Sequence, residues 1–317
     1  MQFRSFRNSD PPQLAKLWSS QPPQRGLAQN VTPRILETYV FAKPYFHRHD
    51  FIVAEEGDQL AGFAHVGFGP NESRDDLCTE MGMTCMLQVA PEFDFAAVAS
   101  QLLERAEARL KERGAKLIYG GSVAPLNPFY VGLYGGSEMP GILLSDHRMV
   151  ELFNRSGYSE IDRTVVLQRD LGDFRTPIDR RLVQLKRKMQ VELDTVPKPE
   201  DWWDACVSPP HEPTCFEILP KQGGPACGSV RFWVIEPFSH TWGRLTVGLT
   251  KLKIAEEHRG KGLATYLNVE ALRHLQLNGV ELIEAQTMLS NKAALDLYAR
   301  LGFKEVDQGV VFRKDAS

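Results

Sequence analysis

The residues best suited to chemistry lie in the stretch Ile254-Ala255-Glu256-Glu257-His258-Arg259-Gly260-Lys261-Gly262-Leu263-Ala264. Residues 249–254 have the apolar pattern of a strand, and a helical pattern begins at Leu263. The two glycines between them let the backbone lie close to a ligand, because no Cβ stands in the way. The first amides of a helix are unpaired and carry the positive end of its dipole. The stretch therefore predicts a cradle for an anion such as a phosphate or diphosphate.

The cradle pattern is not specific by itself. Neither the Rossmann glycine pattern nor the P-loop pattern occurs, and an ordinary strand-to-helix turn can also use glycines for tightness. A second pattern follows downstream, Asn291-x-x-Ala294-x-x-x-Tyr298-x-x-x-Gly302-Phe303. In this order and spacing, the two patterns resemble the acetyl-CoA motif and the closing motif of the Gcn5-related N-acetyltransferase (GNAT) superfamily. The family motif R/Q-x-x-G-x-G/A is matched by Arg259, Gly262 and Ala264.

The resemblance implies acetyl-CoA as a co-substrate and assigns a role to each matching residue. The backbone of Leu252, Lys253 and Ile254 would hydrogen-bond the pantetheine arm as an added strand. Asn291 would order its loop and contact CoA. The amides of the cradle would hold the CoA diphosphate, with the side chains of Arg259 and Lys261 adding positive charge; the cradle residues are Arg259, Gly260, Lys261, Gly262, Leu263 and Ala264.

The resemblance also implies the catalytic groups. In this family a free amine attacks the thioester directly, and a tyrosine at the position of Tyr298 protonates the leaving thiolate. A tyrosine phenol is protonated at neutral pH, as the role requires. A helix aromatic that packs in the core is the alternative for Tyr298. Glu284 is the candidate base for an amine that arrives as ammonium. Glu281 and His240 are the second choices for this role. The alternative for Glu284 is a salt-bridged strand residue.

Composition limits the class of protein. The chain has 317 residues, enough for two domains that each bury a core. A net charge of −3 gives no reason to expect nucleic acid or a membrane as a partner. Five cysteines without a C-x-x-C pair, and an N-terminus without a signal-peptide core, indicate a cytoplasmic protein with reduced thiols. His47-Arg48-His49-Asp50 has no matching ligand cluster, so we expect a polar loop and no metal.

The first half of the chain repeats the second. Residues 86–91 share their outline with residues 252–256, which aligns Asp94 with Arg259 and Phe95 with Gly260. Twenty positions separate Asp94 from Gly114 and also Arg259 from Gly279, which predicts following helices of equal length. Farther on, residues 152–158 parallel residues 297–303, with Phe153 in the place of Tyr298.

The N-terminal repeat lacks the chemical features of the C-terminal one. A carboxylate, Asp94, stands where an arginine would help to hold phosphate, and side chains replace the glycines. Phe153 has no proton to donate. We therefore predict that the N-terminal repeat is catalytically silent and that the C-terminal repeat carries the acetyl-CoA site.

The order of predicted elements in the first repeat, β-α-α-β-β-β-α-β, is the order that the GNAT fold uses. The sequence thus predicts an α/β protein with two tandem GNAT-like domains, each a mixed, mostly antiparallel sheet flanked by helices. The boundary is predicted near residues 174–178, which gives domains over 1–174 and 175–317. Asp10 is predicted to cap the first helix, and residues 188–196 to form a strand.

Two segments leave alternatives open. Gly114 to Phe153 spans 39 positions but Gly279 to Tyr298 only 19, so about 20 extra residues fall near 123–144 of the N-terminal repeat. This aromatic and glycine-rich insertion is either a platform or lid over a substrate pocket, or a loop packed by its own aromatics. The five cations between Arg180 and Lys188 predict a solvated face on a connecting segment, with a nucleic-acid or acidic-substrate patch as the alternative.

Three functional hypotheses follow. The preferred one is an N-acetyltransferase whose C-terminal domain acts on the primary amine of a small molecule. The second is an acetyltransferase similar to mycothiol synthase, another tandem GNAT protein with a silent N-terminal half. The acceptor of mycothiol synthase is a cysteinyl pseudodisaccharide. The third is a non-catalytic acyl-CoA sensor, against which Tyr298 argues. The number of chains that associate is not indicated by the sequence.

Overall fold

The structure is a computed structural model that describes residues 1–177, 179–194, 197–210 and 212–316. The strands are β1 (Gln2–Ser5), β2 (Phe51–Glu56), β3 (Gln59–Pro70), β4 (Leu77–Val89), β5 (Leu117–Gly120), β6 (Ser122–Val123), β7 (Pro140–Leu143), β8 (Ser159–Asp170), β9 (Met189–Asp194), β10 (Thr214–Pro220), β11 (Gly228–Val234), β12 (Thr246–Ile254), β13 (Leu282–Met288) and β14 (Lys304–Asp315). The α-helices are α1 (Pro11–Ser19), α2 (Pro33–Leu36), α3 (Phe95–Glu112), α4 (His147–Arg155), α5 (Arg180–Lys188), α6 (Trp202–Val207), α7 (Glu236–Trp242), α8 (Leu263–Leu277) and α9 (Lys292–Arg300).

The chain divides into two compact units. The first comprises the described residues of 1–164, 199–210 and 307–317, and the second comprises those of 165–198 and 211–306. Within the described residues, no helix is long and apolar enough to cross a membrane.

The first unit is built on a sheet in the order β1-β2-β3-β4-β5. The pairs β1/β2, β2/β3 and β3/β4 are antiparallel, whereas β4/β5 is parallel. The second half of β14 continues this sheet, pairing antiparallel with β5 so that Phe312 faces Gly120. α3 packs on one face, because its apolar residues recur at helical spacing; the most buried are Val98, Ala99, Leu102, Leu103, Ala106 and Leu110.

The second unit has a sheet in the order β8-β13-β12-β11-β10-β9, with the second half of β8 at one end. The pair β12/β13 is parallel, whereas β11/β12, β10/β11 and β9/β10 are antiparallel. α8 and α9 supply the core on one face, together with side chains of α5. The predicted class, a mixed and mostly antiparallel sheet flanked by helices in each repeat, is confirmed.

The structure corrects several local predictions. Residues 180–188, predicted as a connecting segment, form the helix α5, so β9 begins at Met189 and not at Lys188. Residue 178 of the predicted boundary and residues 195–196 of the predicted strand lie outside the described residues. The Asp10 carboxylate does not cap α1, because it accepts bonds from the Arg4 side chain and the Arg7 amide. The helix α7 was not predicted.

The insertion of the N-terminal repeat packs inside the first unit. Phe129 and Tyr130 are only 3% and 1% exposed. The Tyr130 hydroxyl lies 2.9 Å from Nδ1 of His65, and its ring stacks on Trp18 with centroids 5.9 Å apart. Of the two alternatives, the structure supports the loop packed by its own aromatics. Phe129 and Tyr130 do not form an exposed platform or lid, since both side chains are buried.

The buried His65 gives the first unit a pH dependence. Burial lowers the pKa of His65 to about 3. The unfolded chain binds this proton near the ordinary value of about 6.5, so below that pH it holds a proton that the folded state lacks. The free energy of unfolding should therefore fall by up to about 1.4 kcal/mol per unit as the pH drops from 6.5 towards 3.

Replacing His65 with Gln should remove this slope. Urea unfolding at pH 7 and pH 5 measures the loss, which should be about 2 kcal/mol smaller in His65→Gln than in the wild type. An unchanged slope in His65→Gln contradicts the assignment.

Candidate active site

A cleft opens where β12 and β13 stop pairing. Their parallel register runs from Thr246 opposite Leu282 to Leu249 opposite Ala285. Beyond that point β12 continues to Ile254 and stays paired on its other edge with β11, where Lys253 faces Ser229. In the described part of the chain, the register with β13 does not continue over residues 250–254, and this segment borders the candidate cleft. The predicted pantetheine-binding residues Leu252, Lys253 and Ile254 lie in this segment.

The divergence coincides with an irregularity in β12. The register with β11 shifts between Ser229 and Arg231, and Lys251 has a φ of 50°, in the left-handed region. A bulge of this kind bends a strand and increases its twist, which turns the end of β12 away from β13. The Ile254 carbonyl at the end of the strand accepts a bond of 3.2 Å from the Arg259 side chain, which ties the strand end to the following turn.

The predicted anion cradle follows directly. Gly260 and Gly262 have φ values of 72° and 82°, which favour glycine. Among the described residues, no atom lies within 4 Å of the place where a Cβ of Gly260 would stand, and no side chain caps α8. The first intrahelical bond is donated by the Tyr266 amide to the Gly262 carbonyl. The three amides before Tyr266 precede this bond, so the start of α8 fits a diphosphate.

The side chains of the cradle are of two kinds, small or buried apolar groups and exposed cations. Leu263 is 4% exposed and holds the first turn of α8 in the core. Ala264 adds little bulk beside the amides. Lys261 is exposed, and the Arg259 side chain is 68% exposed and 3.9 Å from Glu256. Two positive charges thus stand beside the start of α8.

In the first unit, the position that matches the cradle is filled by residues at the start of α3. α3 has 18 residues and α8 has 15, so the prediction of equal helix lengths is wrong. When the C-terminal ends of α3 and α8 are aligned, the additional turn at the start of α3 corresponds to residues of the cradle in the second unit. Its cap Asp94 accepts a 2.7 Å bond from the Ala97 amide. A carboxylate and a helical turn thus stand where the second unit offers free amides, and the Arg148 guanidinium covers Phe95 at 4.7 Å.

Removing this cap should affect stability but not cofactor binding. Asp94→Ala should lower the free energy of unfolding of the first unit by about 1 kcal/mol, because a helix cap is lost. Calorimetric titration should give the same number of CoA molecules per chain as in the wild type. A second binding event in Asp94→Ala would contradict the view that the extra turn and Phe95 also close this position.

Tyr298 lies on α9, as predicted, and Asn291 is the residue that caps this helix. α4 and α9 each have nine residues, and Phe153 and Tyr298 occupy the same place in them. Asn291 caps α9 with its side-chain oxygen, which accepts a 3.2 Å bond from the Ala294 amide. This bond orders the loop between β13 and α9. Tyr298 is 4% exposed, packs in the core cluster on the α8 side of the sheet, and lies 5.2 Å from the Phe303 ring.

Glu284 is a fully buried carboxylate on β13. Its neighbours Ile283 and Ala285 belong to the core on the α8 side, so alternation places Glu284 on the other face of the sheet. The side-chain amides of Gln168 and Gln286 each donate to it at 3.3 Å. It faces Gly248, one pair before the strands diverge. The structure therefore places Glu284 and Tyr298 on opposite faces of the sheet.

The two reserve candidates for the base lie at the other end of the strands. Glu281 precedes β13, and its carboxylate accepts a 3.0 Å bond from the Leu245 amide before β12. His240 is exposed on α7, which also precedes β12. Gln168 and Gln286 are site residues that the sequence prediction missed. The alternation of Leu282, Glu284 and Gln286 with apolar residues was a usable signal, but Gln168 comes from the first repeat.

Metal ligands were not predicted, and the described residues contain no group of three or more His, Cys, Asp or Glu side chains that could hold a metal ion. In the His47-to-Asp50 segment, the Asp50 carboxylate instead accepts bonds from Arg109 at 2.8 Å and Arg113 at 2.7 Å.

Comparison with known proteins identifies the class. The model of the acetyltransferase (GNAT) family matches residues 12–135 and 180–303. The chain therefore belongs to the GNAT family and carries two tandem copies of its domain.

Solved structures share this fold over almost the whole chain. A tandem GNAT protein from the clavulanic acid biosynthesis pathway superposes with a TM-score of 0.66 and 14% identity, over 100% of this chain and 98% of that chain. A GCN5-related N-acetyltransferase from Sphaerobacter thermophilus gives a TM-score of 0.62 and 15% identity, over 99% of this chain and 95% of that chain. At these identities the likeness concerns the fold alone.

Curated relatives match shorter stretches. The uncharacterized N-acetyltransferase YobR of Bacillus subtilis (strain 168) is 33% identical over 95 residues, which are 30% of this chain and 34% of that protein. N-alpha-acetyltransferase 30 of Schizosaccharomyces pombe (strain 972 / ATCC 24843) is 38% identical over 55 residues, which are 17% of this chain and 37% of that protein. The chain thus spans about a third of the length of these relatives.

Proposed function

We propose that the second unit transfers an acetyl group from acetyl-CoA to the primary amine of a small molecule, and that the first unit is catalytically silent. The observation that carries this proposal is the contrast between the two helix starts. α8 begins at two glycines in the left-handed region without a side-chain cap, whereas α3 begins one turn earlier under the Asp94 carboxylate.

Each part of the cleft has a task in this proposal. The amides at the start of α8 hold the diphosphate of CoA, with Arg259 and Lys261 adding charge. The main chain of Leu252 to Ile254, beyond the register with β13, bonds the pantetheine arm. Asn291 keeps the loop before α9 in place. Acetyl-CoA supplies the acetyl group in activated form, as a thioester.

The two candidate catalytic groups handle the protons. Glu284 accepts a proton from the incoming amine, while Gln168 and Gln286 hold its carboxylate in place. The amine nitrogen forms a bond to the acetyl carbon as the bond from that carbon to sulfur breaks. The Tyr298 hydroxyl donates its proton to the departing sulfur. Because Glu284 and Tyr298 lie on opposite faces of the sheet, Glu284 acts on the amine from one side of the cleft and Tyr298 acts on the thiol from the other.

The proposal extends to the acceptor and the compartment. The net charge of −3 provides no overall attraction for a polyanion, which favours a small amine over a nucleic acid. The five cysteines are all free thiols, three of them buried, and this suits the reducing cytoplasm.

A screen of primary amines tests the proposal. The release of free CoA thiol from acetyl-CoA is followed for each amine, and mass spectrometry identifies the N-acetylated product. Turnover with one or more small amines, and one CoA bound per chain, is the expected result. Binding of CoA without turnover on any amine would favour a sensor, and the absence of both binding and turnover would refute the proposal.

A further inference from the structure

The helix α5 presents a concentration of positive charge. Five of its nine residues are cationic and exposed; they are Arg180, Arg181, Lys186, Arg187 and Lys188. Within the part of the chain that the structure describes, none of these five side chains forms an ion pair. The Asp179 carboxylate, next to them in sequence, is bonded to the Arg181 amide at 2.7 Å as the cap of α5. This concentration of exposed positive charge attracts an anionic partner.

The helix α5 lies beside the cradle because it packs against α8. Leu182 is buried in the core of the second unit, and α5 packs against α8. The side chain of Leu185 reaches the start of α8, where its Cδ1 lies 3.7 Å from the place that a Cβ of Gly262 would take. α5 therefore forms a wall next to the amides that we assign to the diphosphate.

Helical geometry places four of the five cations in two pairs on different sides of α5. Arg181 lies one turn before Leu185 and Lys188 one turn after it, so both project on the side of α5 that adjoins Gly262. Arg180 and Arg187 lie on the opposite side of α5. Val183 lies on that side too, and it is 54% exposed. Two cations thus border the cradle, and two others carry the same charge away from it.

The chemistry of the proposed co-substrate fits the first pair. Besides its diphosphate, CoA carries a phosphomonoester on the 3′ carbon of its ribose, with a charge between −1 and −2 near neutral pH. The cradle amides are assigned to the diphosphate, so this second anion needs other partners. We infer that Arg181 and Lys188 bind the 3′-phosphate of CoA. The inference rests on the proposed function, since it assumes that CoA occupies the cradle.

Calorimetric titration with CoA and with 3′-dephospho-CoA tests the inference, because the two ligands differ only in this phosphate. The proteins compared are the full-length wild type, the double variant Arg181→Gln/Lys188→Gln and the charge-matched control Arg180→Gln/Arg187→Gln. We expect the wild type to bind CoA about tenfold more tightly than 3′-dephospho-CoA. The Arg181/Lys188 variant should bind both ligands equally, with the affinity of the wild type for 3′-dephospho-CoA. The control should behave as the wild type.

Three results would overturn the inference. They are equal binding of the two ligands by the wild type, a preference for CoA that survives in the Arg181/Lys188 variant, and an equal loss of preference in the Arg180/Arg187 control. The first two would leave the proposed function intact, because CoA would still bind. No binding of either ligand to the wild type would instead refute both the inference and the proposed function.

Discussion

Replacing Gly262 with Asp is expected to weaken the binding of CoA on the order of 100-fold. The change would recreate at α8 the condition found at α3, where the Asp94 carboxylate accepts a bond from the helix amide of Ala97. A carboxylate at this position competes for the amides that we assign to the diphosphate and repels its negative charge. Calorimetric titration with CoA measures the effect.

The backbone strain of this substitution needs a control, because Gly262 has a φ of 82°. Gly279 at the other end of α8 also has a φ of 82°. Gly279→Asp therefore introduces the same side chain at a similar backbone cost, away from the cradle. It should lower the melting temperature about as much as Gly262→Asp and leave the affinity for CoA unchanged. Equal losses of affinity in the two variants would show that strain, and not the carboxylate in the cradle, is responsible.

Removal of the Tyr298 hydroxyl should lower kcat on the order of 100- to 1,000-fold and change KM little. The hydroxyl is needed when the sulfur leaves and not when the substrates bind, so its loss acts on the transition state. Initial rates of Tyr298→Phe, measured with the best amine of the screen at varied amine and acetyl-CoA concentrations, test this expectation.

Tyr266 provides the matched control for this change. It is 4% exposed, as is Tyr298, and belongs to the same core cluster. Tyr266→Phe removes one buried hydroxyl from that core without touching the proposed proton path, so kcat should stay near the wild-type value. A small effect in Tyr298→Phe, or a loss of similar size in Tyr266→Phe, would contradict a role of Tyr298 as the general acid.

The cradle and the last helix could be predicted because their signals are local. An apolar strand, two glycines and a helical pattern occupy about 25 consecutive residues, and each part has a preferred backbone conformation. The equal helices α4 and α9 follow from the same repeated pattern. The cap at Asp94 could also have been found, since an aspartate before an apolar helical pattern is a standard helix start. The alignment of the two repeats drew attention to Asp94 only as the counterpart of Arg259.

The remaining features depend on contacts between distant segments. The second half of β14 joins the sheet of the first unit and the second half of β8 joins that of the second, which no local pattern specifies. Gln168 reaches Glu284 only through this arrangement. α5 escaped prediction because just three of its nine residues are apolar, and only Leu182 is buried. Propensity alone is a weak guide for such a short, charged helix.

The most direct test of the account is a crystal structure of the complex with CoA. We predict that the diphosphate oxygens lie about 3 Å from the main-chain nitrogens at the start of α8, next to Gly260 and Gly262. Density for the diphosphate against Asp94 and Phe95 at the start of α3, with the turn at Gly260 and Gly262 empty, would contradict the account and reverse the roles of the two units.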